Sequence, residues 1–410
     1  MFAVTLAVLS YVSRVCISQA APDITRDLHL TTEQMGQIFG AFAISYALME
    51  IPSGLLGDWI GAKKVLIRIV LWWSAFTALT GAMFSFGAMY LVRFLFGAGE
   101  AGAFPNLTKI FTVWLPHRER LRAQAIMWTS ARWAGAFTPK LVFLVLLVMS
   151  WRMAFVFFGA VGVIWVVVFL VWFKDDPHEH PGVNAAEAAY IGSTAGQASG
   201  HGNVPWRKVL SSRSVWLLWV QYFALSFPWY FFITWMPSYL KDYWKLEGGE
   251  ATTLAILPLF LGGVGCAVCG WVSPGLSARV GGATKSRKIM ACIGFAGAGG
   301  LLIAAIQMKQ AIPAMIAMGL ASFCNDLVMP PSWAACMDIG GKYAGTLSGS
   351  MNMMGNLAGF ASPVVGGKIL HDDPSRYPDL LYISAAVYFI GLLCWPFIDP
   401  VTPLEADDAH

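Results

Sequence analysis

Apolar residues run along this chain in long blocks rather than in strict alternation. Stretches long enough to cross a bilayer, about 20 residues each, lie near 2–22, 34–57, 65–86, 87–113, 123–147 and 152–173. A polar segment at 174–213 then breaks the pattern, with KDDPHEHPGVNAAEAAYIGSTAGQASGHGN at its heart. Its Gly, Ser, His and acidic residues mark a solvated linker, with one short surface helix expected around Asn184–Ile191. Six more apolar stretches follow near 214–240, 251–273, 287–308, 311–336, 343–369 and 378–398. The pattern predicts an all-α integral membrane protein with twelve transmembrane helices in two pseudo-symmetric six-helix halves. The first bundle spans 1–173, a cytoplasmic linker 174–213, the second bundle 214–400 and a cytoplasmic tail 401–410.

Composition agrees with lipid as the solvent. Of the 410 residues, 57% are hydrophobic and 12% charged, where a soluble domain carries roughly a quarter charged residues. The net charge of +4 is small, and its basic residues are not clustered with aromatics, so no nucleic-acid partner is expected. The first residues lack a basic flank and Arg14 interrupts the apolar run, so this segment reads as a retained membrane helix rather than a signal peptide. Basic residues such as Lys63, Lys64, Arg118, Arg120, Arg207 and Lys208 concentrate in the loops after even-numbered spans. The positive-inside rule then makes those loops and both termini cytoplasmic, with the bacterial inner membrane as the expected location. Cys266-x-x-Cys269 has redox or zinc spacing, but its setting LGGVGCAVCGW offers no second ligand pair, and packing is the reading. No metal or cofactor is expected.

The halves echo one another. Arg132-x-x-Gly135-x-x-x-Pro139 in the fifth span has a counterpart in Asn356-x-x-Gly359-x-x-x-Pro363 in the eleventh, and repeats of this kind place a substrate site near the midplane. Between spans two and three, Gly54, Gly57 and Gly61 permit a tight turn, while Asp58 is suited to hold a helix N-terminus and pair with a base; Lys63 and Lys64 follow.

Charges inside the spans each cost several kcal/mol unless paired or wet. Arg14 lies in the first span, Arg93 and Glu100 in the fourth, and Arg132 in the fifth. Arg93 and Glu100 are two helical turns apart, about 10 Å on one face, which suits a shared cavity. Three arginines set against Glu100 leave positive charge that an anionic substrate would balance, and the planar guanidinium fork suits a carboxylate. The competing reading is ion pairs between helices. Asp326 in span ten reads first as the partner of a basic residue and second as a proton site. Asn325, Asn352 and Asn356 suit substrate hydroxyls or broken helix backbone, and Lys109 and Lys140 read as helix-end snorkelers.

Several of these motifs are distinctive together. The loop Gly54–Lys64 resembles the signature loop of the major facilitator superfamily, with Trp59 where a basic residue is usual; its second-half equivalent has Pro274 where an acid is expected, which assigns the latch between halves mainly to the first copy. GAGEAGAFPN (97–106), the Trp114–Ala123 segment and DIGGKYAGTLSGSMNMMGNLAGFASP (338–363) resemble the anion:cation symporter branch, which includes galactonate, glucarate and hexuronate carriers and is related to sialin. The resemblance implies that Tyr11, Arg14, Tyr46, Arg93, Trp333 and Asn352 surround the bound acid, with Asn356 as a further candidate. It implies that Glu100 takes up the coupling proton. Two departures stand out. Ser13 stands where sugar-acid carriers have aspartate, which leaves a second coupling proton without its usual residue. Arg132 stands where they have a polar amide, which points to a substrate with a second anionic group or one more acidic than a monocarboxylate sugar acid.

The expected activity is secondary active import of a small organic acid anion with protons by alternating access, in a monomer within the bilayer. An exchanger or exporter of the same fold is the first alternative. A non-transporting sensor would need a signalling domain larger than the linker or tail. An enzyme is not expected, because no Ser-His-acid set or histidine cluster lies on the spans.

Overall fold

The computed structural model describes residues 1–191, 204–246, 248–370 and 373–404. Residues 192–203 of the expected linker and 405–410 of the expected tail lie outside the described residues. Among the described residues the chain is helical throughout, with no strand.

The helices are α1 (Phe2–Asp27), α2 (Thr32–Ile60), α3 (Ala62–Thr80), α4 (Phe86–Glu100), α5 (Ala103–Trp114), α6 (His117–Val148), α7 (Trp151–Trp172) and the short α8 (Ala185–Ile191). They continue as α9 (Trp206–Ser211), α10 (Arg213–Thr234), α11 (Gly248–Val280), α12 (Ala283–Gln307), α13 (Ala311–Gly340), α14 (Ala344–Leu370) and α15 (Tyr377–Cys394). Among the described residues, nine helical stretches are long and apolar enough to cross a membrane. One of these, Ala311–Leu370, holds two passes, α13 and α14, joined by the 3₁₀ turn Gly341–Tyr343. The basic α3 and the split pair α4 and α5 complete the twelve. On α7, Ile164, Val167, Val168 and Val171 are all exposed; a helix that is apolar on its outer face is at home in lipid rather than water.

Local sequence sets the breaks. Thr31 and Gln34 close a reciprocal capping box that starts α2, the Gln34 amide donating to the Thr31 hydroxyl at 3.2 Å and the Thr31 amide to the Gln34 side chain at 2.9 Å. The fourth pass, which the sequence predicts as one span, is split between α4 and α5. Gly102 sits there at φ +84°, and a Cβ at this position would fall 2.3 Å from the Ser53 Cβ. Only glycine combines that backbone with so close an approach.

The chain packs as two compact units. One comprises Met1–Pro116, Ala134–Val204 and Gly340–Met353; the other comprises His117–Trp133, Pro205–Ile339 and Met354–His410. In the first, α2 lies along α4, and α3 packs on both α4 and α7. A core of Val12, Cys16, Ile17, Ala20 and Ile24 meets Ile38, Met89, Trp151, Phe155 and Phe158. In the second unit α15 lies against α10 and α12.

The sequence repeat has a packing counterpart in each unit. A Cβ on Gly135 of α6 would come 3.1 Å from the Tyr11 ring of α1, and one on Gly359 of α14 would come 2.4 Å from the Tyr230 ring of α10. In both places a glycine admits a tyrosine from the first pass of its own half, which is the small-residue logic of close helix packing in membranes.

Candidate functional site

In the first unit, α1 and α4 bring Arg14 against Glu100. Arg14 Nε donates to Glu100 Oε1 at 2.9 Å, and the Ser10 hydroxyl donates to the same oxygen at 2.5 Å. Glu100 is fully buried. The Arg14 guanidinium lies 4.4 Å from the Tyr46 ring centroid, with Phe42, Tyr11 and Phe104 between 5.5 and 5.9 Å. This aromatic wall holds the cation by its π faces and leaves it only partly exposed.

Arg93 packs 4.1 Å from the Phe96 ring and is buried. Its Nε and Nη1, and Nη2 of Arg14, are buried without a protein acceptor. Burying polar donors unpaired costs roughly 1–3 kcal/mol each and more when they are charged. A fold retains such donors where an anion satisfies them. The arrangement therefore offers forked, positively charged donors set in aromatic surroundings, beside a carboxylate that already competes for one of them.

A second buried carboxylate belongs to the same unit. Glu50 of α2 is fully buried and accepts from the Asn352 amide of α14 at 2.6 Å. Tyr46 and the Gly102 backbone also bond it. The sequence reading set three arginines against Glu100 alone; Glu50 corrects that count. Its signal was present, since an acid inside the predicted span 34–57 is itself a site hypothesis.

Asp58 sits farther along α2. Its Oδ2 accepts from the Thr346 amide and hydroxyl, both at 2.6 Å, and its Oδ1 accepts from the Gly345 amide at 3.1 Å and Lys109 Nζ at 3.0 Å. A carboxylate on the first amides of a helix meets the positive end of its dipole, so Asp58 caps α14 from outside the helix. Lys109 is not a snorkeler: it is buried and its ammonium also donates to the Lys342 carbonyl at 2.5 Å. The Asp58 charge draws it inward and removes the reason to reach for the interface. Gly54 brings the backbones together, since a Cβ there would lie 2.4 Å from the Gly345 carbonyl oxygen. Gly61 turns the chain at φ +94°, and the Lys63 amide donates to Asp175 at 2.9 Å.

The second unit holds the remaining sequence candidates. Arg132 is not an uncompensated cation. Its Nε and Nη2 donate to the two oxygens of Asp326 at 2.7 and 2.9 Å, both residues are buried, and Trp229 covers the guanidinium at 4.1 Å. The pairing partner lies far away in the chain, so counting charges on the first-half spans misses it. Asn325 donates to Asp326 at 2.9 Å and accepts from Tyr388 at 3.0 Å. Trp333 donates to the Tyr222 hydroxyl at 3.0 Å and packs against Trp128. Asn356 accepts from Tyr230 at 3.4 Å.

Asp338, at the end of α13, is a residue that sequence reasoning missed. It accepts from Arg120 at 2.7 Å and Arg287 at 2.6 Å, with His117 at 2.8 Å. His117 and Arg120 open α6, so this carboxylate ties a first-half helix to a second-half one, as Asp58 does in the other unit. Pro274 stands where an acid was expected, and Asp338 of α13 is a buried acid of the same unit. A cavity of about 660 Å³ adjoins it, lined by His117, Arg118, Arg122, Ser273, Arg287 and Asp338 among others.

Comparison with known proteins places this geometry. Residues 3–363 match the Major Facilitator Superfamily. A probable sulfoacetate transporter of Cupriavidus necator is 36% identical over 402 residues, 98% of this chain and 93% of that protein. A hexuronate transporter of Bacillus subtilis is 27% identical over 413 residues, 98% and 94% of the two chains. The solved fucose:proton symporter of Escherichia coli shares the fold at a TM-score of 0.74 and 14% identity, covering 97% of each chain. Helical passes, latch carboxylates and relatives agree: the chain belongs to the Major Facilitator Superfamily, within its anion:cation symporter-type relatives, and is an integral membrane transporter rather than an enzyme.

Proposed function

We propose that the protein imports a small organic acid anion together with protons by alternating access, in the bacterial inner membrane with both termini cytoplasmic. The observation that carries this reading is the set of buried guanidinium nitrogens on Arg14 and Arg93 without protein acceptors, next to Glu100. The cargo's carboxylate competes with Glu100 for Arg14. Once displaced, Glu100 loses its counter-cation and takes a proton, so anion and proton load together and the pair crosses the membrane field with less penalty.

The 36% identical relative is named for sulfoacetate, which bears a carboxylate and a sulfonate. That supports a short two-headed acid as the first cargo to try. A thermal-shift screen of the purified chain against organic acids, with sulfoacetate, dicarboxylates and hexuronates included, tests this. The reading expects stabilisation by one of these classes and its loss in Arg93→Ala. Equal stabilisation of both proteins, or none by any acid, contradicts it.

A further inference from the structure

The transport reading uses Glu100 and leaves Glu50 without a role. Its neighbours define one. Beyond the Asn352 amide, the Tyr46 side chain and the Gly102 backbone, its Oε2 is buried with no partner. All of these partners are neutral. Arg14 acts on Glu50 through space but gives its Nε to Glu100; Arg68 donates to Ser53 at 3.4 Å, and Lys109 pairs with Asp58. Arg93 stands on α4 against Phe96. A carboxylate sealed from water and hydrogen-bonded only to neutral donors is more stable with its proton on, because burial costs the ionised form its hydration.

The seal is made by the seam between α2 and the first turns of α14. A Cβ on Gly349 would lie 2.8 Å from the Glu50 carbonyl oxygen, and one on Gly345 the same distance from the Gly54 carbonyl oxygen. Backbones this close leave no path for water. Asp58 and Glu50 both hold α14 from α2, about 12 Å apart along the helix. The Asp58 clasp carries its own cation. The Glu50 clasp is bonded by a neutral amide instead, with Arg14 acting on it only through space.

We propose that Glu50 is a second proton-binding site of the transport cycle, neutral while α2 and the start of α14 are packed together and ionised when they part. The inference rests on the alternating-access reading above, in which that seam must open. Opening wets the carboxyl, the proton leaves to water, and the seam recloses only after Glu50 is protonated again. Each cycle then releases one proton from Glu50 on opening and takes one up before reclosure, which gates the seam and leaves the net coupling to Glu100.

The test needs no cargo. Infrared difference spectra of the full-length protein in lipid nanodiscs, alkaline minus acid, report protonated buried carboxyls by their C=O stretch. The expected result is a titrating band that is lost in Glu50→Gln and kept in Glu100→Gln, with one fewer proton released per chain on alkalinisation of the Glu50 variant. A band unchanged in Glu50→Gln overturns the proposal. Should that variant fail to fold, Asn352→Leu serves instead: removing the amide donor weakens the ionised form, so the band's midpoint moves to higher pH, and an unmoved midpoint overturns the proposal. A Glu50 band in a protein that takes up no acid would count against the transport reading alone, whereas uptake with no such band would count against the Glu50 site alone.

Discussion

Arg132 and Asp326, 194 residues apart in the chain, meet through two parallel hydrogen bonds of 2.7 and 2.9 Å inside the second unit. The bidentate geometry is the strongest form of the guanidinium–carboxylate contact. Removing one partner strands a buried charge, which costs about 3–5 kcal/mol. Asp326→Asn should therefore lower the thermal unfolding temperature markedly, and Arg132→Gln/Asp326→Asn should recover much of the loss. A double variant no better than the single one would mean that the two residues act separately. Because Asp326 already occupies the Arg132 fork, the same double variant, assayed on mono- and dicarboxylates, should keep the parent protein's preference.

Asp58 is predicted to matter more than its turn position suggests. It accepts from two amides, a hydroxyl and Lys109 at once. Asp58→Asn leaves the Lys109 ammonium buried and unpaired, so uptake should fall at least tenfold with a lower unfolding temperature. Asp58→Asn/Lys109→Met should restore stability in part but not transport, since the α14 cap stays weakened. Proteoliposome uptake beside thermal unfolding separates the two effects.

Gly102 gives a steric test of the break in the fourth pass. Gly102→Ala meets both a left-handed backbone and the Ser53 side chain at 2.3 Å. The strain alone is about 1–2 kcal/mol, and the contact adds to it. Folded yield after size exclusion should drop. Gly36→Ala, where nothing lies within 4 Å, should match the parent protein.

The number of passes and the Asp58 loop were legible because each depends on near neighbours in the chain: apolar runs, glycines and an acid before basic residues. Arg14, Arg93 and Glu100 were legible as charges in apolar runs, and the spacing within α4 gave their shared face. What the chain order hides are its long-range pairings. Asp326 neutralises Arg132 from span ten, Lys109 turns inward because Asp58 faces it, and Asp338 gathers Arg120 and Arg287 from two other helices. Glu50 went unread in its span, and its partner Asn352 lies 302 residues on. The split of α4 from α5 was hidden for a different reason, since Gly102 sits inside the stretch 87–113 that reads as one span and only its φ reveals the turn.

Glu100→Gln separates binding from coupling. With the acid neutralised, Arg14 loses its internal competitor, so cargo should bind at least as well as in the parent protein and exchange across the membrane should persist. Accumulation against a gradient should vanish. Counterflow and net uptake measured on the same proteoliposomes distinguish these outcomes, and loss of counterflow would place Glu100 in cargo binding instead.

The central claim is tested most directly by uptake of radiolabelled sulfoacetate, and of whichever acid the thermal screen selects, into proteoliposomes with the outside made more acidic than the lumen. The account predicts accumulation that follows the proton gradient, collapses with a protonophore and is lost in Arg93→Ala. Uptake that ignores the gradient, or that survives intact in Arg93→Ala, would contradict it.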